Sequence, residues 1–149
     1  MKILRLLYLV ICIFGLTAAA CAAENEPLRA DLEVLSFEVS EAYTTKTFAG
    51  NTTGKKFLVF KMKVTNNDQT EHLIYRNDFI IRTPKNIKYE PLLPISDNCF
   101  TLYEILKPAQ HVEKLLLYEV ENNMNQFLLV ITSTDLMTGK YVYFEFAFK

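Results

Sequence analysis

The side chains in this sequence with chemistry to offer are 2 histidines, 3 cysteines and a scatter of serines and glutamates. His72 and His111 stand near Glu71 and Glu113. A metal site would need both imidazoles to converge with a carboxylate in space, and no chelating spacing brings them together. Both read as surface residues at strand starts, and no metal or other cofactor is implied. Ser36, Ser40, Ser96 and Ser133 lack the strained strand-to-helix elbow that exposes a nucleophile to a histidine base, and Cys99 lies in a bulky apolar context. No glycine-rich loop is present to cradle a phosphate. Glu104, Glu113, Glu119 and Glu121 are of the right type for paired acid and base work, but Glu and Lys at alternating strand positions are the pattern of a solvated face. The expectation is a protein that is not an enzyme.

The elements that would have to position any such group are strands. The run 56–67, KFLVFKMKVTNN, sets Leu58, Phe60, Met62 and Val64 on one face and Lys61, Lys63 and Thr65 on the other. Asn66-Asn67-Asp68 ends it, since short amides and carboxylates bond back to their own backbone in tight turns. Of 149 residues half are hydrophobic and 13% aromatic, with 11 Phe and 8 Tyr, which is ample for one packed core. The formal charge of −1 leaves no basic excess to neutralise phosphates, so nucleic acid is not an expected partner.

Along the chain, residues 32–39 predict a first strand with a bulge where alternation changes phase near Val34 and Leu35. Residues 41–54 read as a long connection, with Asn51-Thr52-Thr53 either a glycosylation sequon or simply a turn. Short strands follow at 71–75 and 78–83, a turn at Pro84-Lys85-Asn86, and a return over 87–90. Pro91 and Pro94 exclude a central strand. Residues 97–107 fit a helix, from the spacing of Leu102, Ile105 and Leu106, or a strand through Phe100 to Tyr103. Strands are predicted at 111–120, 126–131 and 141–148, the last with Val142, Phe144, Phe146 and Phe148 inward. By matching parity, Leu115, Leu117, Leu128 and Val130 are expected in the core. The tyrosines 43, 75, 89, 103, 118, 141 and 143 suit recognition surfaces when exposed, and most are expected along the core edge. The fold class is all-β, an antiparallel sandwich of seven to eight strands.

The N-terminus has its own logic. Lys2 and Arg5 precede an apolar stretch over 6–16 and the small residues Ala18-Ala19-Ala20, the layout of a secretory signal peptide over 1–20. Ala18-Ala19-Ala20-Cys21 also resembles the lipobox of bacterial lipoproteins, with Ala18 where that motif favours Leu. Two outcomes stay open. Acylation of Cys21 would tether the domain to a membrane and leave Cys99 an unpaired thiol; cleavage at the alanines would give a soluble exported protein in which Cys21 and Cys99 could pair. Residues 21–30, short, polar and containing Pro27, read as a tether to a domain over 31–149.

Taken in order, Phe57 to Asn67, Asp78-Phe79-Ile80-Ile81 with Lys88-Tyr89, Leu106-Lys107-Pro108 leading into His111 to Val120, and Gln126 to Ile131 resemble a family of immunoglobulin-like domains of unknown function in exported bacterial proteins and lipoproteins. One such family is sometimes labelled telomeric repeat-binding factor 2-like, without DNA chemistry to support the label. The resemblance spans roughly residues 32–149 and departs at two places: Pro108-Ala109 stands where Pro-Gly is usual, and Asn86 where Gly is usual. It implies an immunoglobulin-like β-sandwich at the cell envelope with binding or scaffolding duties and no catalytic residues. The expected partner is an envelope protein or a surface polymer, with the membrane reached through a lipid anchor. The alternative is a soluble secreted small-ligand carrier or enzyme inhibitor. An exposed aromatic patch would favour the first reading and an enclosed apolar cavity the second.

Overall fold

A computed structural model describes residues 27–132 and 139–148. It is built of antiparallel strands in two facing four-stranded sheets, with a separate two-stranded ribbon. The first sheet has the order β1-β2-β3-β8, from Leu28–Leu32, Leu35–Phe48, Asn51–Asn66 and His111–Val120. The second has the order β10-β9-β5-β6, from Tyr141–Ala147, Gln126–Thr132, Phe79–Arg82 and Lys88–Tyr89. β4 (His72–Tyr75) and β7 (Tyr103–Leu106) form the ribbon. The all-β sandwich expected from the sequence is the architecture observed, with ten strands among the described residues rather than seven or eight.

β3 sits at the centre of its sheet. Leu58, Phe60, Met62 and Val64 are fully buried in the core between the sheets, as their alternation predicts. Phe57 and Val59 are buried as well, on the opposite face, where Cys99 and Leu117 complete a second cluster flanked by Leu92 and Ile95. A strand covered on both faces loses its alternation, which is why 57–60 is one unbroken apolar run. Phe60 is ringed by aromatics, 4.7 Å from Phe146 and 6.0 Å from Tyr118 between ring centroids. The Tyr118 hydroxyl is buried and donates to Phe79 O at 3.1 Å, a bond between the two sheets. Burial pushes this phenol's pKa well up, so it keeps its proton and remains a donor.

The parity expected for β8 and β9 is wrong. Phe60 lies opposite Leu116 and Leu58 opposite Tyr118, and side chains directly opposite share a face. Leu116, Tyr118 and Val120 therefore enter the core, while Leu117 goes to the second cluster and half-buried Leu115 packs beside it. In the other sheet Phe79 opposes Ile131 and Ile81 opposes Leu129, so Phe127, Leu129 and Ile131 face inward and Leu128 and Val130 do not join them. Phe144 and Val142 are in the core as expected, with Phe146 and Phe148 half-buried against it.

Three expected boundaries also move. The tether does not extend to residue 30, because Leu28, Ala30 and Leu32 alternate inward on β1, paired with Val39, Phe37 and Leu35. The expected bulge at Val34 is instead a tight turn, with Glu33 at φ 59°, joining β1 to β2. The expected connection over 41–54 is the two arms of a long hairpin, Thr44 opposite Leu58 and Thr47 opposite Thr52, turned by Ala49 and Gly50 at φ 46° and 79°. Positive φ at both central residues gives the turn a twist that matches its strands.

Both departures from the family pattern fall on left-handed backbone. Asn86 has φ 60° and Ala109 has φ 59°. Asn tolerates that conformation, whereas Ala pays for its Cβ against the neighbouring carbonyl. Ala109→Gly is expected to stabilise the protein by about 0.5–1 kcal/mol. An unfolding midpoint in urea that is unchanged or lower would mean the 107–110 turn relaxes differently in solution. Phe60→Ala should cost about 3–5 kcal/mol and Leu116→Ala about 2–5 kcal/mol. Leu115→Ala, on the other face, should cost only about 1 kcal/mol; a reversal of the two leucines in chemical denaturation would restore the rejected parity.

Candidate functional site

The ribbon of β4 and β7 carries a cluster of exposed large apolar side chains in register. Its inner side chains are Ile74 and Leu106, buried in the core, and His72 and Glu104, partly buried. Alternation then forces Leu73, Tyr75, Tyr103 and Ile105 onto the outer face, where each is between 41% and 53% exposed. Leu73 lies opposite Ile105 and Tyr75 opposite Tyr103, with the two phenol rings 6.5 Å apart. Leu102, 58% exposed, extends the patch by one residue. Large apolar side chains are thus held outward, in register, on a short sheet.

The ribbon is fastened at several points. The Asn66 carboxamide is fully buried at the end of β3; its Nδ2 donates to Thr70 O at 2.7 Å and Leu106 O at 3.0 Å, and its Oδ1 accepts the Asp68 N–H at 2.9 Å. The Asn66 backbone N–H donates to Gln110 O at 2.9 Å. One residue therefore joins β3, the turn before β4 and the end of β7. On the ribbon's inner side Lys114 Nζ from β8 lies 2.5 Å from Glu104 Oε1, which also accepts from the Thr101 hydroxyl. Burial pushes the Glu104 carboxyl up, but the bonds from Lys114 and Thr101 outweigh it and hold it below its usual range. Asp68 accepts from the Thr70 hydroxyl, from His72 Nε2 at 2.8 Å and from the Gln69 N–H, and these bonds pull its pKa down to about 2.

The residues with chemistry to offer are dispersed or engaged elsewhere. His72 is held by Asp68 at the start of β4, whereas His111 is exposed at the start of β8 opposite Thr65. Among the described residues no group of three or more His, Cys, Asp or Glu side chains could hold a metal ion. Glu113 pairs with Lys61 at 3.1 Å, Glu121 with Lys55 at 2.7 Å, and Glu119 with the Thr53 hydroxyl. Cys99 is buried, with its Sγ 3.3 Å from Ser96 Oγ. Cys21 and Ser133 lie outside the described residues. Of the tyrosines, Tyr118 is central to the core, Tyr89 and Tyr143 are half-buried, and Tyr43, Tyr75, Tyr103 and Tyr141 are exposed. Sequence reasoning named Tyr75 and Tyr103 only as members of a list; the signal missed was their shared alternation with Leu73 and Ile105.

A cleft of about 250 Å³ opens between the sheets beneath the ribbon, lined by Leu35, Phe37, Ile74 and Phe79 with His72 and Asp78 among its polar walls. It is smaller than the roughly 300–1,000 Å³ that small-molecule sites occupy, and it is not an enclosed apolar cavity. Asp78 is pushed up toward its neutral form by burial, and its Oδ2 accepts the Tyr75 N–H at 3.3 Å.

Neither a family model nor a curated protein sequence matches the chain. Solved structures share its fold. They include the candidate lipoprotein ycdA of Bacillus subtilis (TM-score 0.66, 15% identity, 85% of this chain and 39% of that one). The yjhA protein of Bacillus subtilis is similar at TM-score 0.64 and 12% identity, over 77% of this chain and 93% of that one. A secreted protein of Mycobacterium tuberculosis is similar at TM-score 0.60 and 12% identity, over 80% and 92%. The chain thus spans about two-fifths of ycdA but nearly all of the other two. At such identities the likeness is one of fold.

The Asp68 cluster generates a pH dependence with a definite sign. A carboxylate held at about 2, against its ordinary 3.8, favours the folded state wherever the unfolded chain's Asp68 is ionised. That contribution is complete above about pH 4 and is lost as pH falls toward about 2. Melting temperatures measured across this window should fall less steeply for Asp68→Asn than for the wild type. Parallel acid limbs would show that the cluster does not persist in solution.

Proposed function

We propose that this protein is an exported, non-catalytic binding module of the cell envelope that docks another protein through the outer face of the β4–β7 ribbon. The observation that carries the reading is the set Leu73, Tyr75, Tyr103 and Ile105, held outward in register on a fastened two-stranded sheet. Contiguous exposed apolar patches mark interaction surfaces, and tyrosine is enriched at such surfaces because its ring is apolar and its hydroxyl stays wet. The signal-like N-terminus supports export, in keeping with neighbours of like fold that are described as a candidate lipoprotein and a secreted protein. The assignment we favour is the exported immunoglobulin-like family named above, with Cys21 the acylated first residue of the mature chain and the residues before β1 its tether. A membrane anchor suits a docking module, since it confines the ribbon to the neighbourhood of an envelope partner.

Two measurements separate the parts of this reading. A photo-crosslinking residue in place of Tyr103 should capture an envelope protein in intact cells, whereas the same residue in place of Tyr141, exposed on β10, should not; equal capture at both positions removes the ribbon from the proposal. Cys21→Ser should move the protein out of the membrane fraction and block its processing. A wild type already soluble, or a mature chain with unmodified Cys21, leaves a soluble secreted domain in its place.

A further inference from the structure

The cleft beneath the ribbon has an apolar floor that includes Phe37, Ile74 and Phe79, and its polar walls are Glu33, His72, Asp78 and Thr132. Its volume of about 250 Å³ exceeds the roughly 150 Å³ that admits a benzene ring. The hydrogen-bonding capacity left in those walls is of one kind. His72 Nε2 lies 2.8 Å from Asp68 Oδ2, and a carboxyl held at about 2 is ionised and only accepts, so Nε2 carries the ring proton. In the neutral ring this leaves Nδ1 a lone-pair acceptor, with no partner among the described residues. Asp78 is half-buried; its Oδ2 accepts the Tyr75 N–H at 3.3 Å, and its Oδ1 has no partner among the described residues. None of the ion pairs formed among those residues engages Asp78. Burial disfavours its charged form, and a cation beside it would offset that cost. The Thr132 hydroxyl spends its hydrogen on Asp78 O at 3.3 Å, and Glu33 is bonded to Lys140 at 3.2 Å.

We infer that this cleft binds a small primary ammonium with an apolar body, about eight heavy atoms in all, with Asp78 its counter-ion and the open ring nitrogen of His72 a further acceptor on the wall. An ammonium offers three donors and no acceptor, which suits walls that only accept. A carboxylate or phosphate of the same size is repelled, because Asp68, Asp78 and Glu33 outnumber Lys140 around the cleft. A neutral alcohol brings one donor and no charge to set against Asp78. The site lies on the inner side of the ribbon, away from Tyr75 and Tyr103, and stands independently of the docking reading. It is hidden in the sequence because Glu33, His72, Asp78 and Thr132 come from separate elements.

The probes are benzylamine, benzyl alcohol and sodium benzoate, titrated at pH 8 and constant ionic strength while backbone amide shifts are followed by NMR. Benzylamine should shift the amides of Ile74, Phe79 and Thr132 saturably and bind about tenfold more tightly than benzyl alcohol, with benzoate weaker than both. Asp78→Asn, which keeps an acceptor for the Tyr75 amide and loses the charge, should bring benzylamine down to the level of benzyl alcohol. Val34→Trp, which fills the cleft from the turn between β1 and β2, should weaken benzylamine and benzyl alcohol alike, and it carries the comparison if Asp78→Asn does not fold. Tyr103→Ser, on the outer face of the ribbon, should leave benzylamine binding unchanged, so that a failure of the docking reading does not touch this one. Equal binding of benzylamine and benzyl alcohol to the wild type would overturn the proposal, as would benzoate binding as tightly as benzylamine. A benzylamine response unchanged in both Asp78→Asn and Val34→Trp, or no saturable shift with any probe, would overturn it as well.

Discussion

The ribbon depends on one buried carboxamide. Asn66 has no exposed surface, and its hydrogen bonds tie the end of β3 to the turn at Thr70 and to the end of β7 at Leu106. Amide groups in such a place must be satisfied internally, because leaving one donor or acceptor unpaired costs about 1–3 kcal/mol. Asn66 answers the carbonyls of Thr70 and Leu106 and the amide of Asp68. With β4 and β7 only four residues each, such fastening matters, because isolated two-stranded sheets are marginal in water.

With the clamp, the ribbon belongs to the sandwich on one side and to solvent on the other. Ile74 and Leu106 anchor it in the core, and the Lys114–Glu104 pair ties its inner side to β8. The period of two then leaves no choice for the remaining side chains: if Ile74 is inward, Leu73 and Tyr75 are outward. The apolar outer face follows from a strand whose residues are hydrophobic on both sides and covered on only one. The same physics acts differently on β3, where the segment carrying Leu92, Ile95 and Cys99 covers the second face and turns Phe57 and Val59 into core residues.

Arg76 and Asp68 show how the two ends of the ribbon differ in charge. At the Asp68 end a carboxylate has more partners than it needs, and its pKa is pulled down to about 2. At the other end Arg76 is buried and its Nε has no hydrogen-bond partner among the described residues.

Strand identity was legible wherever apolar residues alternated between turn formers, as at 111–120, 126–131 and 141–148, because local sterics and turn chemistry act within a few residues. The all-β class followed from those elements and from the lack of repeated helices between them. Facing was not legible where both parities are apolar: Leu115-Leu116-Leu117 and Leu128-Leu129-Val130 look the same to either side, and the register against β3 and β5 chose between them. The start of β1 was hidden because Leu28-Arg29-Ala30 reads as the end of a polar tether until Val39 and Phe37 lie opposite it. Asn66 was legible as a turn former, since that role is local, but its bond to Leu106 spans a separation along the chain that no local pattern encodes. The exposed apolar face of the ribbon and the burial of Arg76 were decided in the same way, by what the rest of the fold covers and what it leaves uncovered, and coverage is a property of the packed molecule alone.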